Sequence, residues 1–534
     1  MLQEIRRRKQ GEFFTPTIWV DKAHEYISSV FGEDWKEKYV VWDPAWGTGN
    51  LTRDYKFKEL YVSTLNQSDI DTANQMGYNS EAVKFQFDFL NDPDEKLPES
   101  LRKVIDEGRE IIVLMNPPYG RASSGKKGGR QSTLGLAGTK LNSEMVQNKM
   151  GKASSQLYCQ FIYRLVKLNI SYICMFTPPL YITGQSMQKF RKKLFTKYGI
   201  SKGFMMDAAN FADVKSWGLV FTIISKNETY NNFIFDTLKQ GTSFLIEQIG
   251  EKILYNTDSI KSLNNWYKEK NIKKIDFPGA TNGINVVNNH KSSFSQNSFG
   301  WFYADSNTVE KNPTNVSLFS LGFSHGQGCN VTQTNFNNIV NSFSARKLIK
   351  SDWINQKDEY LTPDLQNDNY LQYTYDSIIY SLFHIHSFQS SLRQITYKDK
   401  LWDIKNEFFW MSKEEMLNLS NENNYSDLYN DARTDSDRYV YKLLFGEERI
   451  YDKLSPDAKL VLDKATELVI KSMQMREIFA NDENHLKSWD SGYAQLKLIW
   501  KEHYVDEFKE FRKLYKNLED RMRPLVYELG FLMK

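Results

Sequence analysis

The residues best suited to chemistry form one short turn, Asn116-Pro117-Pro118-Tyr119, directly after the apolar run Ile111–Met115. Two prolines stiffen the turn, so the Asn116 side-chain oxygen and the Pro117 carbonyl can both face one amine. These acceptors would favour a pyramidal nitrogen and stabilise the positive charge that develops as the amine attacks an electrophile. Tyr119 is placed to stack on a planar substrate. The turn predicts group transfer to a planar amine, with a purely structural proline-stiffened loop as the alternative.

A glycine-containing turn at residues 43–49 predicts a second binding function. It reads Asp-Pro-Ala-Trp-Gly-Thr-Gly and follows an expected strand. Its glycines let a ligand lie against bare backbone, but the third glycine of the dinucleotide fingerprint is absent, and a carboxylate at the strand end would repel a pyrophosphate and attract a cation. A sulfonium cofactor that carries an amino group fits better, and an ordinary strand-to-helix corner is the alternative interpretation. The expected contacts are Asp43, Ala45, Gly47 and Gly49.

Acidic side chains follow the next two expected strands. Asp69 can accept both ribose hydroxyls of the cofactor, and Asp71 is the competing candidate because a helix N-terminus also favours an acidic residue. Asp88 can accept from the cofactor's adenine amine while Phe89 packs on the ring. A helix-capping Asp88 followed by core aromatics is the alternative. The pattern therefore predicts cofactor-binding acceptors at the same sheet edge as the glycine turn.

These turns require a particular arrangement of strands. From residue 38 to about residue 226, short apolar runs alternate with helix-like segments, the pattern of a parallel sheet covered on both faces. The expected strands span residues 39–42, 59–65, 84–87, 111–115, 172–176, 203–206 and 219–225. Only a loop separates the last two, so we expect them to pair antiparallel at one edge of the sheet. The predicted fold class is α/β, a Rossmann-like seven-stranded sheet with an antiparallel last strand, plus a C-terminal mixed or helical region.

The 534-residue chain is long enough for several domains. We expect a catalytic domain at residues 1–230 and a mixed α/β segment of unassigned fold at residues 231–345. Apolar residues at helical spacing then predict a largely helical region at residues 346–534. The three scattered cysteines fit a reducing cytosol and exclude a zinc site, and we expect neither a signal peptide nor a membrane span.

The overall charge gives no global signal, because 69 basic residues nearly balance 66 acidic ones. Any surface for a polyanion must therefore be a local patch. The segment at residues 120–154 holds seven basic residues against one acid and is rich in Gly, Ser and Thr. It predicts a cationic flap beside the catalytic turn in which Lys126, Lys127 and Arg130 contact phosphates, with an ordinary solvated loop as the alternative.

The order of these motifs resembles the amino-methyltransferases of DNA, in particular the adenine-N6 group. In that group the cofactor motifs precede the Asn-Pro-Pro-Tyr motif and target recognition lies C-terminal. The segment Gly-Glu-Phe-Phe-Thr-Pro at residues 11–16 looks like the family's N-terminal cofactor motif, with Thr15 as the contact to the methionine end. The resemblance covers approximately residues 10–226. It has two departures: Trp46 stands where a small residue or cysteine is common, and aspartates rather than a glutamate follow the second strand.

The resemblance implies that S-adenosylmethionine is the cofactor and that its methyl group passes directly to N6 of an adenine in double-stranded DNA. Because base pairing engages that amine, the base must be extruded from the duplex. Phe211 would sandwich it opposite Tyr119, with a buried loop anchor as the alternative role. Target recognition would fall to the helical C-terminal region. The family also implies a restriction-modification context, with a restriction or specificity subunit as a partner, and a cytoplasmic protein of bacterial or phage origin that needs no metal.

Other functions stay open on the residues alone. The same turn occurs in methyltransferases of glutamine side chains and of RNA guanine N2, although those enzymes are typically much shorter than this chain. Cytosine N4 is a third target, but that group usually has serine at the position of Asn116. A catalytically idle DNA-binding or specificity subunit belongs to a different class, and the intact motif argues against it.

Overall fold

The computed structural model of the protein describes most of the chain. The described residues are 14–121, 138–210, 215–228, 233–241, 245–255, 261–269, 278–281, 285–291, 295, 297–311, 315–321, 328–390, 394–422, 436–476 and 488–533. They fold into two compact units. The first extends to residue 258 and includes the segment 352–359, whereas the second contains residues 259–351 and 360–533.

A single nine-stranded sheet organises the first unit. Its strands are β1 (Val40–Asp43), β2 (Leu60–Thr64), β3 (Val83–Gln86), β4 (Ile111–Met115), β5 (Tyr172–Thr177), β6 (Tyr198–Asp207), β7 (Gly218–Lys226), β8 (Phe233–Gln240) and β9 (Ile246–Leu254). They lie in the order β3-β2-β1-β4-β5-β7-β6-β8-β9. The first five strands pair in parallel, and β7 runs antiparallel to both β5 and β6. The topology confirms the predicted Rossmann-like sheet with an antiparallel seventh strand.

The sheet extends beyond the seven expected strands. The β6–β7 pair was expected at one edge, but β8 pairs with β6 in parallel and β9 pairs with β8, so β9 forms that edge. Five consecutive residues of β9 are exposed, which explains why the sequence shows no apolar run there. The boundary expected near residue 230 therefore falls between two strands of one sheet.

Helices cover both faces of this sheet. They are α1 (Thr17–Phe31), α2 (Trp35–Lys38), α3 (Gln67–Gln75), α4 (Glu99–Asp106), α5 (Lys140–Gln147), α6 (Leu157–Lys167), α7 (Leu180–Thr183) and α8 (Gln188–Leu194). All five side chains of β4 are buried, and alternate residues belong to two separate hydrophobic clusters, one on each face. A strand that is buried on both faces reads as a continuous apolar run, as the sequence indicated.

A short segment, residues 352–359, packs on the first unit although the chain on both sides of it belongs to the second. Lys252 of β9 and Asp358 form a buried ion pair, with 2.5 Å between Nζ and Oδ2. The carboxylate of Glu359 accepts a hydrogen bond from the backbone N–H of Gln185 at 2.5 Å. The segment is therefore tied to the edge strand and to the turn after α7.

The second unit is mixed, with helices predominating towards its C-terminal end. Its helices are α9 (Leu263–Tyr267), α10 (Phe336–Leu348), α11 (Tyr370–Leu382), α12 (Lys413–Glu422), α13 (Tyr439–Phe445), α14 (Ile450–Lys453), α15 (Pro456–Lys471), α16 (Tyr493–His503) and α17 (Val505–Glu528). A small sheet has the order β14-β12-β13-β15, formed by β12 (Gly300–Ala304), β13 (Val316–Phe319), β14 (Cys329–Val331) and β15 (Ser387–Phe388). Two further hairpins pair β10 (Pro278–Thr281) with β11 (Asn285–Lys291) and β16 (Gln394–Tyr397) with β17 (Lys400–Asp403). The predicted helical C-terminal region is confirmed.

Residues 259–351 belong with the C-terminal helices, whereas the sequence placed residues 231–345 in a segment of their own. The three cysteines are buried and free. Within the described ranges, no helix is both long and apolar enough to cross a membrane.

Candidate active site

A cavity lies at the carboxyl ends of β1, β2, β3 and β4, where open α/β sheets bind their ligands. The turns after these four strands line it together with the N-terminal segment and helix α6. The predicted site residues in its lining are Thr15, Asp43, Ala45, Gly47, Asp69, Asp88, Phe89 and Asn116. Gly49, Pro117 and Tyr119 belong to the same turns but lie outside the lining. The structure therefore brings both predicted sites into one cavity.

The glycine turn is shaped by the tryptophan that departs from the family pattern. Gly47 and Gly49 adopt positive φ angles of 51° and 78°, which favour glycine. A Cβ atom on Gly49 would lie 2.9 Å from the indole nitrogen of Trp46, so that ring occupies the space beside the turn. The buried indole N–H donates to the Thr52 hydroxyl at 2.9 Å. Trp46 is thus a fixed wall of the cavity.

Asp43 is a buried carboxyl group with one oxygen unused. Its Oδ1 accepts from the backbone N–H of Ala45 at 3.0 Å, but no described residue donates to its buried Oδ2. Burial raises the pKa of Asp43 to about 8, and the hydrogen bond from Ala45 opposes this shift only in part. An unpaired buried carboxyl at the cavity wall is suited to a cationic ligand group.

Asp69 rather than Asp71 faces the cavity. Asp69 lies in the first turn of α3, where its Oδ2 accepts from the Thr64 hydroxyl at 2.9 Å. Asp71 is exposed, bonds Gln67 on its own helix and is not part of the lining. The structure thus places the favoured carboxylate, and not its competitor, where a cofactor ribose could be held.

Asp88 caps a turn and also lines the cavity, whereas its contact with the adenine of a cofactor stays a prediction. Its Oδ1 caps the turn after β3 by accepting from the backbone N–H groups of Leu90 (3.0 Å) and Asn91 (3.1 Å), and it also lines the cavity. The neighbouring Phe89 ring stacks on Phe161 of α6, with 4.5 Å between centroids and 12° between planes. Phe161 also lines the cavity, so the two rings supply a flat apolar surface there.

A buried arginine fixes this aromatic wall. Arg164 of α6 donates from Nη1 to the Phe89 carbonyl at 2.6 Å and pairs with Asp94 at 2.5 Å. Its guanidinium also lies 5.1 Å from the centre of the Phe89 ring. Neither Phe161 nor Arg164 was predicted as a site residue, because both lie on a helix with no local motif.

The Asn116 amide is held from both ends. Its Nδ2 donates to the Thr15 hydroxyl oxygen at 3.0 Å, which turns Oδ1 to the other side. There Oδ1 accepts from the Tyr119 hydroxyl at 2.6 Å. Burial raises the pKa of Tyr119 well above its usual value, so the hydroxyl stays protonated and donates. The predicted methionine-end residue, Thr15, therefore also orients the predicted catalytic amide.

Asn50 connects the glycine turn to the same N-terminal segment. Its Nδ2 donates to the Thr15 carbonyl at 3.1 Å, and its Oδ1 accepts from the Thr48 hydroxyl at 3.0 Å. Asn50 was not among the predicted site residues, although its position directly after the glycines could have indicated a role in the site. Thr15 is thus fixed through its backbone carbonyl by Asn50 beside the glycine turn and through its side chain by Asn116.

An unpredicted aromatic residue stands beside the catalytic turn. The Trp217 ring meets Tyr119 edge to face, with 5.9 Å between centroids and 87° between planes. Trp217 is half-buried and immediately precedes β7. Phe211, the predicted second wall for the base, lies outside the described residues, as do Lys126, Lys127 and Arg130. Their roles stay predictions.

The described part of the chain contains no group of three or more His, Cys, Asp or Glu side chains arranged to hold a metal ion. The acceptors in the cavity are single carboxylates and amide oxygens spread over four turns. Such donors suit the separate parts of an organic cofactor, each held by its own turn.

The sheet order and the cavity at its carboxyl edge define a methyltransferase type of α/β fold. Residues 49–211 match the family model described as Eco57I restriction-modification methylase. The match covers less than a third of the chain and includes Asp69, Asp88 and Asn116. It confirms the resemblance to the restriction-modification methyltransferases of DNA that the motifs indicated.

Several solved structures are similar in part. A DrdV–DNA complex shares 15% identity over 43% of this chain and 28% of that chain, with a TM-score of 0.32. A type I restriction-modification methyltransferase subunit from Streptococcus thermophilus shares 19% over 43% and 49%, with a TM-score of 0.31. The type IIG restriction endonuclease BpuSI shares 18% over 44% and 28%, with a TM-score of 0.30. The match thus spans half or less of each of these chains, and similarity at this level bears on neither substrate nor partner. No curated protein sequence matches the chain.

Proposed function

We propose that the protein is an S-adenosylmethionine-dependent DNA methyltransferase that methylates N6 of an adenine extruded from double-stranded DNA. One observation carries the proposal: the oriented Asn116 amide lines the same cavity as the glycine turn and the carboxyl groups of Asp43 and Asp69. An acceptor for an amine and a nucleoside-type binding site thus share one space.

The residues present fit the cofactor. The unpaired Oδ2 of Asp43 would accept from its ammonium group, and Asp69 would accept from its ribose hydroxyls. The stacked rings of Phe89 and Phe161 offer an apolar surface for its adenine. Bound there, the cofactor would supply an electrophilic methyl carbon.

Asn116 would prepare the substrate amine for attack. Because Thr15 holds Nδ2, the side-chain oxygen is already turned outward as an acceptor, and the amine would donate to it and to the Pro117 carbonyl. Both hydrogen bonds strengthen as the nitrogen becomes positive, so they favour the transition state over the ground state. No strong base is required, since the proton can leave after the new bond has formed.

Tyr119 shares its hydrogen-bond acceptor with the incoming base. Its hydroxyl now donates to the same Asn116 oxygen that the substrate amine would use. An amide oxygen has two lone pairs, so it can accept from both groups, or the ring can rotate to stack on the base. Trp217 and Phe211 follow β6 and are candidates for the opposite wall.

DNA is the proposed polymer because residues 49–211 resemble the restriction-modification methylases, and extrusion of the base would bring the adenine amine of a duplex within reach. The helical second unit would read the target sequence, and the basic segment with Lys126, Lys127 and Arg130 would contact the backbone. A restriction or specificity subunit is a proposed partner, and the proposed location is the cytoplasm.

Long-read sequencing of DNA from cells that express the protein tests the proposal. We expect N6-methyladenine at one short sequence, and its loss with Asn116→Ala. Asn74→Ala is the matched control, because Asn74 is exposed on α3 and is not part of the lining.

Three outcomes would contradict the proposal. Methylated RNA or glutamine with unmodified DNA would identify the related amino-methyltransferases. N4-methylcytosine would change the target base. DNA binding without cofactor binding would identify a non-catalytic subunit.

A further inference from the structure

Helix α6 holds one residue of the cavity wall, Phe89, at two points. The Phe161 ring stacks on the Phe89 ring, with 4.5 Å between centroids. One turn further along α6, Arg164 Nη1 donates to the Phe89 backbone carbonyl at 2.6 Å. Residues three positions apart lie on the same face of a helix, so both contacts come from the face of α6 that meets the wall. The position of the Phe89 ring therefore depends on α6.

The backbone carbonyl of Phe89 depends on Arg164 in particular. Phe89 is 4% exposed, and among the described residues no other group donates to its carbonyl oxygen. A buried carbonyl without a donor is unfavourable, so the turn would shift to recover a hydrogen bond. Loss of the guanidinium would thus displace the Phe89 ring.

The guanidinium of Arg164 is itself fixed on its other side. Its Nε and Nη2 both donate to Oδ1 of Asp94, at 3.1 and 2.5 Å. Its central carbon lies 4.7 Å from the centre of the Phe87 ring and 5.1 Å from that of Phe89. Each of the three guanidinium nitrogens thus has a partner in the protein, and Arg164 is buried and is not part of the cavity lining. Arg164 therefore acts on a ligand only through the residues that it holds.

We propose that Arg164 is a positioning residue that sets the affinity for S-adenosylmethionine, because it holds the ring on which the adenine of the cofactor packs. The inference rests on the proposed function, in which Phe89 and Phe161 receive that adenine. The aromatic wall follows β3, whereas the Asn116 turn follows β4. A displaced ring weakens the hold on the nucleoside equally in the ground state and in the transition state. Arg164 thus governs the KM for the cofactor and leaves kcat unchanged.

The experiment measures steady-state methylation of DNA and calorimetric binding of S-adenosylhomocysteine, both with the full chain. Arg164→Met removes the guanidinium, so it should raise the KM for S-adenosylmethionine and the Kd for S-adenosylhomocysteine about tenfold, with kcat within about twofold of the wild type. Arg164→Lys can still donate to the Phe89 carbonyl and should recover part of the loss. Lys167→Met is the matched control, since Lys167 lies one turn further along α6 and pairs with Glu144 at 3.1 Å. It should keep the wild-type KM.

A second variant covers the case in which Arg164→Met does not fold. Asp94 is 42% exposed, so Asp94→Asn leaves the interior intact and weakens only the pair that aims the guanidinium. The KM for S-adenosylmethionine should rise about threefold, again without a change in kcat. A purely structural role would instead lower the amount of active enzyme, and hence kcat, at an unaltered KM.

Two results would overturn the inference. One is an equal KM for Arg164→Met and Lys167→Met, and the other is a lower kcat for Arg164→Met or Asp94→Asn at the wild-type KM. Unaltered KM and Kd values in variants that methylate DNA contradict only this inference. A wild-type chain that binds S-adenosylhomocysteine but methylates no DNA contradicts the proposed function, and calorimetry then tests Arg164 by itself.

Discussion

Burial shifts the pKa of Asp43 in the first unit and the pKa of Lys347 in the second in opposite directions. Burial raises the pKa of the Asp43 carboxyl to about 8 and lowers the pKa of the Lys347 ammonium to about 7, so at neutral pH the carboxyl is mostly protonated and the ammonium has lost part of its charge. A buried ionisable group regains its charge when an opposite charge arrives. The comparison indicates a cationic ligand group for Asp43, which is the one of the two that lines the candidate cavity.

The largest expected effect is on the rate of methyl transfer and comes from Asn116. Asn116→Ala should lower kcat for methyl transfer by at least about 100-fold, because it removes an acceptor for the developing charge. The affinity for S-adenosylmethionine should change by less than about threefold, measured by calorimetry. A comparable loss of cofactor affinity would show that Asn116 serves binding rather than transfer.

The second effect tests the acidic half of the comparison. Asp43 must be ionised to hold the ammonium group, so cofactor affinity should rise by up to about tenfold per pH unit between pH 6 and 7.5 and level off near pH 8. Calorimetry across that range measures it, and Asp43→Asn should bind weakly with a flat profile. A wild-type profile that is already flat would contradict the role of Asp43.

The third effect concerns orientation of the catalytic amide. Thr15→Val removes the oxygen that accepts from Asn116 Nδ2, so kcat should fall about tenfold, whereas Thr15→Ser should restore most of it. Steady-state kinetics with saturating cofactor separate this from a binding defect. Equal rates for the valine and serine variants would show that the hydrogen bond does not matter.

Local sequence patterns were sufficient to predict the turns that line the candidate cavity. Strand β4 is visible in the sequence as five consecutive apolar residues, because a strand that is buried on both faces excludes polar side chains. The Asn116 turn follows it immediately. The glycines of the cofactor turn are equally local, since their positive φ angles restrict the residue type. The match at residues 49–211 falls on this same part of the chain.

Contacts between distant elements could not be predicted from local sequence patterns. Phe161 lines the cavity, and Arg164 donates to the Phe89 carbonyl. Both lie on a helix whose sequence pattern indicates only an ordinary buried face. Strand β9 was missed because its exposed side chains hide the period of a half-buried strand.

The buried Lys252–Asp358 pair has a practical consequence for anyone who wishes to cut the protein into parts. A fragment that stops at residue 258 would contain the whole nine-stranded sheet but would lack Asp358, leaving an ammonium group sealed in the interior without its counterion. Such a fragment should be poorly soluble, and it should recover when a peptide of residues 352–359 is added or fused to its end.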